Sequence, residues 1–121
     1  MLKIASKIEI RPSDGKGMGV FATEKIMSGE VIEECHLVNL PTKKWEKSTL
    51  LMDYRFCYPM GSNWVDYVLP LGYGCIYNHD DNNNAMWRNH PSQRAFQFYA
   101  LRDIEVGEEI CTNYGPGYKW G

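Results

Sequence analysis

Hydrophobic and polar positions alternate in short runs that glycine and proline interrupt often, the pattern of short strands joined by turns. Lys3 to Ile10 alternates in part and is rich in β-formers, so a first strand is expected there. Gly15 to Gly19 is a turn, and Val20-Phe21-Ala22 restarts a strand. Val31 to Leu40 reads as a strand that Pro41 ends. Pro41 to Asp53 is the one segment with helical periodicity: Thr42 can cap it, and Trp45, Thr49 and Met52 fall on one face. Trp64 to Leu69 and Ala95 to Leu101 alternate as strands, Ile104 to Glu108 is a turn, and Glu109 to Thr112 is a last short strand. The balance is mostly β with one or two short helices.

One stretch breaks the rhythm. The largely apolar run Leu69 to Tyr77 leads straight into Asn78-His79-Asp80-Asp81-Asn82-Asn83-Asn84. Short amide and carboxylate side chains bond to nearby backbone and favour turns, so a solvated loop is the simplest reading. Asp80, Asn82 and Asn84 sit at alternate positions as in a calcium loop, but Ala85 stands where such a loop needs glycine and Pro91 where it needs glutamate.

Composition narrows the classes. The chain of 121 residues is expected to form a single domain. Apolar residues make up 44%, enough for one modest core, and eight Tyr and four Trp suit a pocket or interface as well as a core. The net charge of −2 lacks the basic excess of a nucleic-acid binder. Cys35, Cys57, Cys75 and Cys111 are widely and irregularly spaced, which fits neither a disulfide scaffold nor a zinc finger; reduced, partly buried thiols and no metal site are expected. No apolar run resembles a signal peptide or a membrane span, so a soluble intracellular protein without a membrane partner is expected.

Three short constellations carry the candidate chemistry. Gly15-Lys16-Gly17-Met18-Gly19 before Val20-Phe21-Ala22 lets the backbone turn tightly and approach a ligand, although taken alone it reads as a flexible hairpin turn. Because a strand and not a helix follows, a Rossmann dinucleotide site is not expected. Asn78-His79 is the second constellation. The third is Gly107-Glu108-Glu109-Ile110, followed by Tyr114-Gly115.

In this order, the three together resemble a SET domain, the fold of a family of protein-lysine methyltransferases. Gly17-Met18-Gly19-Val20-Phe21-Ala22 matches the family's G-x-G turn and strand. Asn78, His79 and Asn84 match its N-H-S-x-x-P-N signature, with Asp80 in place of the serine and Asn83 in place of the proline. Gly107 to Ile110 with Tyr114-Gly115 matches G-E-E-L-T-x-x-Y-G, and Ala100 to Ile104 resembles the strand leading into it. The likeness runs from about Ile8 to Tyr118 and is nearest to the minimal viral and bacterial members, which lack zinc-binding flanks. It implies a β-clip fold of several short curled sheets, with the C-terminal chain making a knot-like crossing beside the Asn-His segment. Such crossings are rare. A threaded backbone leaves N–H and C=O groups without strand partners, and Asn78 and Asn84 are the candidates to satisfy them. Asp80 to Asn83 would then be an exposed tip.

The resemblance also implies roles. S-adenosylmethionine would lie between the glycine turn and the Asn-His segment, leaving as S-adenosylhomocysteine. Lys16 and Met18 would hold its amino-acid end through backbone groups, and Gly17 would allow close approach. Asn78 and the backbone of His79 would hold the amino group and adenine, with Tyr118 or Trp120 stacked on the ring. Tyr54 matches an aromatic lining the active site in the viral type. Tyr114 falls at the family's catalytic tyrosine, and Tyr54, Tyr99, Tyr114 and Tyr118 would build the substrate-lysine channel. The reaction needs little covalent work from the protein, so positioning supplies most of the rate. A lysine has a pKa of about 10.4, and half-deprotonation at about pH 7.4 requires a shift of about three units, roughly 4 kcal/mol. An apolar channel beside a cationic sulfur would supply it by desolvation and like charge. Tyr99 falls where the family carries Phe or Tyr, and Tyr there implies mono- or dimethylation.

The partner implied is a protein or peptide carrying a lysine, histone-like by family precedent, in the cytoplasm or in a host cell if the chain is viral. Glu33, Glu34, Asp53, Asp66, Asp80 and Asp81 would favour a basic peptide or be merely solvated. A homodimer follows only by analogy with the viral type. The rival readings are a catalytically silent SET-like binding module, which the substitutions at Asp80 and Asn83 would suit, and an unrelated small β domain that binds no cofactor.

Overall fold

A computed structural model of the chain describes residues 2–39, 56–59 and 66–114. Among the described residues nine strands, β1 (Ile8–Ser13), β2 (Gly17–Ala22), β3 (Val31–Asn39), β4 (Phe56–Tyr58), β5 (Asp66–Pro70), β6 (Asn78–His79), β7 (Ala85–Asn89), β8 (Ala95–Ala100) and β9 (Glu109–Thr112), form two sheets. One is four-stranded, in the order β1-β2-β9-β6; the other is five-stranded, in the order β4-β5-β3-β8-β7. The described residues contain no helix. The helix expected over Pro41 to Asp53 and the C-terminal crossing past residue 114 lie outside them.

The expected strands at Val31, Ala95 and Glu109 form with nearly the expected bounds. The first begins later, at Ile8 and not Lys3. The run before it reaches β3 through one backbone bond, from the Glu34 N–H to the Lys3 carbonyl at 2.9 Å. β4, β6 and β7 were not foreseen. β7 reads Ala-Met-Trp-Arg-Asn, with one strong β-former, and it is extended because it pairs along its whole length with β8, Ala85 against Ala100 through Asn89 against Phe96.

The four-stranded sheet sets out the site. β1 and β2 form a hairpin in register from Ser13–Gly17 to Ile8–Ala22. Its turn is closed by the Lys16 N–H on the Ser13 carbonyl at 3.0 Å and uses left-handed backbone at Gly15 (φ 74°) and Gly17 (φ 78°). β9 lies inside the sheet, antiparallel to β2 (Val20 with Ile110) and parallel to β6 (Asn78 with Cys111, His79 with Thr112). The glycine turn, the Asn-His pair and the end of β9 are thereby neighbours. The core beneath joins Val20, Ile26, Ile104 and Ile110 to Val68, Phe96 and Phe98 of the other sheet and to Tyr77 just before β6, all nearly or fully buried. No described helix is long and apolar enough to cross a membrane.

Candidate active site

Two asparagines stitch β9 to its surroundings. Asn84 is 3% exposed. Its Oδ1 accepts the Cys111 N–H at 2.9 Å, and its Nδ2 donates to the Glu109 carbonyl at 2.8 Å. One side chain therefore satisfies a backbone donor and an acceptor that no strand covers, the internal role expected of it. Asn78 donates through Nδ2 to the Met18 carbonyl (3.1 Å) and to Glu109 Oε2 (2.8 Å). Two acceptors on one amide atom fix which end is nitrogen. The Asn78 Oδ1, on a residue 6% exposed, meets no donor among the described residues.

Glu109, in the sequence one residue of a turn-and-strand motif, is the hub of this corner. Oε1 takes the Ser13 hydroxyl at 2.8 Å and Oε2 takes Asn78. Gly19 makes room for the pair: a Cβ there would lie 2.3 Å from Glu109 Oε2 and 2.9 Å from Asn78 Nδ2. Within the protein, then, close approach falls at Gly19, while Gly17 supplies the left-handed turn. The signal for Glu109 was in the sequence, a glutamate opening an otherwise buried strand, but its partner at Ser13 lies 96 residues away.

His79 joins three elements. Its Nδ1 accepts the Tyr114 N–H at 2.9 Å, which places the ring proton on Nε2, and Nε2 donates to Asp81 Oδ1 at 2.9 Å. Its carbonyl accepts Lys16 Nζ at 3.3 Å across from the glycine turn. The Tyr114 ring lies 5.2 Å from the imidazole, and its hydroxyl donates to the Tyr77 carbonyl. Asp80 to Asn83 is a turn that does more than project into solvent. Asp81 holds His79, Asp80 Oδ1 accepts the Asn82 N–H at 2.9 Å, and Asn83 Nδ2 donates to the Ala85 carbonyl at 2.8 Å.

Lys16, Gly17, Met18, Asn78, His79 and Tyr114 are thus gathered at one corner. Tyr99 is not among these contacts. It lies on β8 of the other sheet, on the face opposite Phe96 and Phe98, under the Arg88 guanidinium at 4.1 Å. Tyr54, Tyr118 and Trp120 lie outside the described residues. Of the acidic residues expected to favour a basic peptide, Glu33 is 3% exposed and Glu34 holds Lys3 N, Gln97 and His90. Glu33 is therefore internal and Glu34 is half-buried with its oxygens engaged, whereas Asp80 and Asp81 are exposed. The thiols behave as expected of buried cysteines: burial pushes Cys75 and Cys111 up to about 11, so both stay protonated.

Comparison with known proteins agrees with this arrangement. The SET domain family matches residues 17–115. The chain is 33% identical over 115 residues to a histone-lysine N-methyltransferase, H3 lysine-37 specific, of Schizosaccharomyces pombe, covering 93% of this chain and 76% of that protein. It is 31% identical over 117 residues to the N-lysine methyltransferase KMT5A of Xenopus tropicalis, where it spans only 35% of the relative's length against 87% of its own. A solved Plasmodium falciparum chain, described as a candidate histone methyltransferase, superposes with a TM-score of 0.76 at 34% identity, over 95% of this chain and 98% of that one. These relatives are eukaryotic; a viral or bacterial origin finds no counterpart among them. The matched residues include all three motifs, and the chain belongs to the SET domain family of protein-lysine methyltransferases.

Proposed function

We propose that this chain, read as one SET domain over residues 1–121, transfers a methyl group from S-adenosylmethionine to lysine side chains of a protein substrate, with Tyr114 as the catalytic residue. The observation that carries the proposal is the clamp on Tyr114: backbone on His79 Nδ1, hydroxyl on the Tyr77 carbonyl, beside the glycine turn. That clamp fixes a phenol and the carbonyl it bonds before any substrate arrives, which is what a reaction governed by positioning requires.

The corner fits the cofactor. The buried Asn78 Oδ1, with its amide nitrogen already engaged twice, is an acceptor suited to an ammonium group. The left-handed Gly17 leaves open space where a side chain would stand. When bound, S-adenosylmethionine would supply a methyl on a positively charged sulfur, open to in-line attack by an amine. Lys16, Gly17, Met18, Asn78 and His79 would hold it, with Tyr54, Tyr118 and Trp120 completing the site as the family likeness suggests. Tyr114 would orient the reacting atoms, and carbonyls such as that of Tyr77 would accept weak C–H bonds.

The substrate class is a lysine-bearing protein. Two of the relatives above carry histone methylation in their names, and histone tails are the first peptides to assay. Incubation with labelled cofactor and lysine-rich proteins tests the proposal. Tyr114→Phe is expected to lower transfer by about 10²-fold or more while S-adenosylhomocysteine still binds. Transfer unchanged in that variant overturns the role of Tyr114, and cofactor-product binding without methylation of any lysine would make the chain a binding module instead. For Tyr99 the expected products are mono- and dimethyl-lysine by mass, shifting upward in Tyr99→Phe; mainly trimethyl-lysine from the unaltered chain overturns that part.

A further inference from the structure

Glu33 and Glu34 are adjacent on β3, and their side chains have separate fates. Glu34 gathers surface partners. Glu33 turns into the core, where Oε2 accepts the Tyr77 hydroxyl and Oε1 accepts the Tyr73 N–H at 3.3 Å, with the Cys35 thiol nearby. Gly72 lies so close that a Cβ there would stand 2.7 Å from Oε1. A buried carboxyl this well supplied with donors is costly to keep, and nothing in methyl transfer requires it.

Its connection is Tyr77. That ring is 1% exposed and stacks on Phe98, with centroids 4.8 Å apart and planes 22° apart, so its plane is set. Its hydroxyl is anchored 44 residues back along the chain on Glu33. Its backbone carbonyl receives the Tyr114 hydroxyl, and the next two residues are Asn78 and His79. One residue is thus held at its tip by Glu33 and at its ring by Phe98, and presents its carbonyl to the phenol of the active site. A phenylalanine at this position would keep the stack and lose the anchor.

We propose that Glu33 is a positioning residue for methyl transfer: through the Tyr77 phenol it fixes the main-chain carbonyl that orients the Tyr114 hydroxyl. The proposal rests on the catalytic reading of Tyr114 and deepens it. Steady-state kinetics on the full chain, with S-adenosylhomocysteine binding and thermal melting alongside, test it in Tyr77→Phe, Glu33→Leu, the double variant and Glu33→Gln. Tyr77→Phe is expected to lower kcat about tenfold, with the peptide KM and the S-adenosylhomocysteine Kd changed less than about twofold. Glu33→Gln keeps an oxygen to accept the Tyr77 hydroxyl and should restore kcat to within about threefold of the unaltered chain. Glu33→Leu and the double variant should lose no more kcat than Tyr77→Phe, since the Tyr77–Glu33 bond is the one all three remove.

A merely structural role would instead lower melting, cofactor binding and kcat together, with additive losses, and that result overturns the proposal. Should Glu33→Leu fail to fold, Tyr77→Phe against Glu33→Gln still decides. Tyr114→Phe run in parallel separates the two readings. If it is inactive while Tyr77→Phe keeps full kcat, only the role of Glu33 falls; if Tyr114→Phe is active, the catalytic reading falls first.

Discussion

Asn84 shows what a single short side chain does here. It replaces a strand edge, answering the Cys111 N–H and the Glu109 carbonyl at once from a position almost sealed from water. Asn84→Ala leaves both groups buried and unanswered, and is expected to destabilise the chain by about 1–3 kcal/mol in denaturant unfolding. Asn84→Asp keeps the acceptor for Cys111 but sets a carboxylate against the Glu109 carbonyl and Glu108, and should unfold at lower denaturant than Asn84→Ala. If both variants match the unaltered chain, the bonds carry no weight. This role was legible in the sequence, because an amide after a dense polar turn is the residue type that can serve a threaded backbone. The role of Tyr77 was not, since its partner is 44 residues away and a tyrosine in an apolar run reads as core.

At the scale of elements, β9 organises the site because it has a neighbour on each side. β2 brings the glycine turn and β6 brings Asn78 and His79. The closeness of β2 depends on Gly19, whose backbone is ordinary but whose missing side chain leaves space for Glu109 and Asn78. Gly19→Ala is expected to displace the flexible Glu109 carboxylate and with it the Asn78 amide. Calorimetry should show S-adenosylhomocysteine binding weakened about tenfold or more, for an energetic cost near 1.4 kcal/mol. Binding left intact would mean that the Asn78–Glu109 pair is dispensable for the ligand. The β2 and β9 strands were readable from their β-formers and flanking glycines. The two-residue β6 was not, because it has no alternation of its own and is a strand only by pairing with β9.

Over the whole molecule, two adjacent glutamates shape the pH dependence of stability in opposite directions. The Gln97 amide, with the Lys3 N–H and His90, holds Glu34 below the usual carboxylate range. Its contribution is present above that range and is lost as the pH falls through the lowered value. Glu34 also ties the residues before β1 to β3, β8 and the β7–β8 turn, where His90 Nδ1 accepts the Ser92 and Gln93 N–H groups at 3.1 Å each. Burial raises Glu33 despite its hydrogen bonds, so its contribution is full below the usual range and declines as the pH climbs through the raised value. Melting curves across pH should therefore show a shallower acid limb in Glu34→Gln and a shallower decline above the carboxylate range in Glu33→Gln; limbs unchanged from the unaltered chain refute the assignment. By itself the sequence determined the β character, the turns, the family and the order of the three motifs, because these are written in local residue types and their spacing. Only the tertiary structure decided that Glu109 anchors Asn78, that Glu33 is internal and not part of an acidic surface, and that the Tyr77 carbonyl meets Tyr114. Each of these joins residues remote along the chain, and a contact of that kind has no local pattern: it exists only once the sheets have packed.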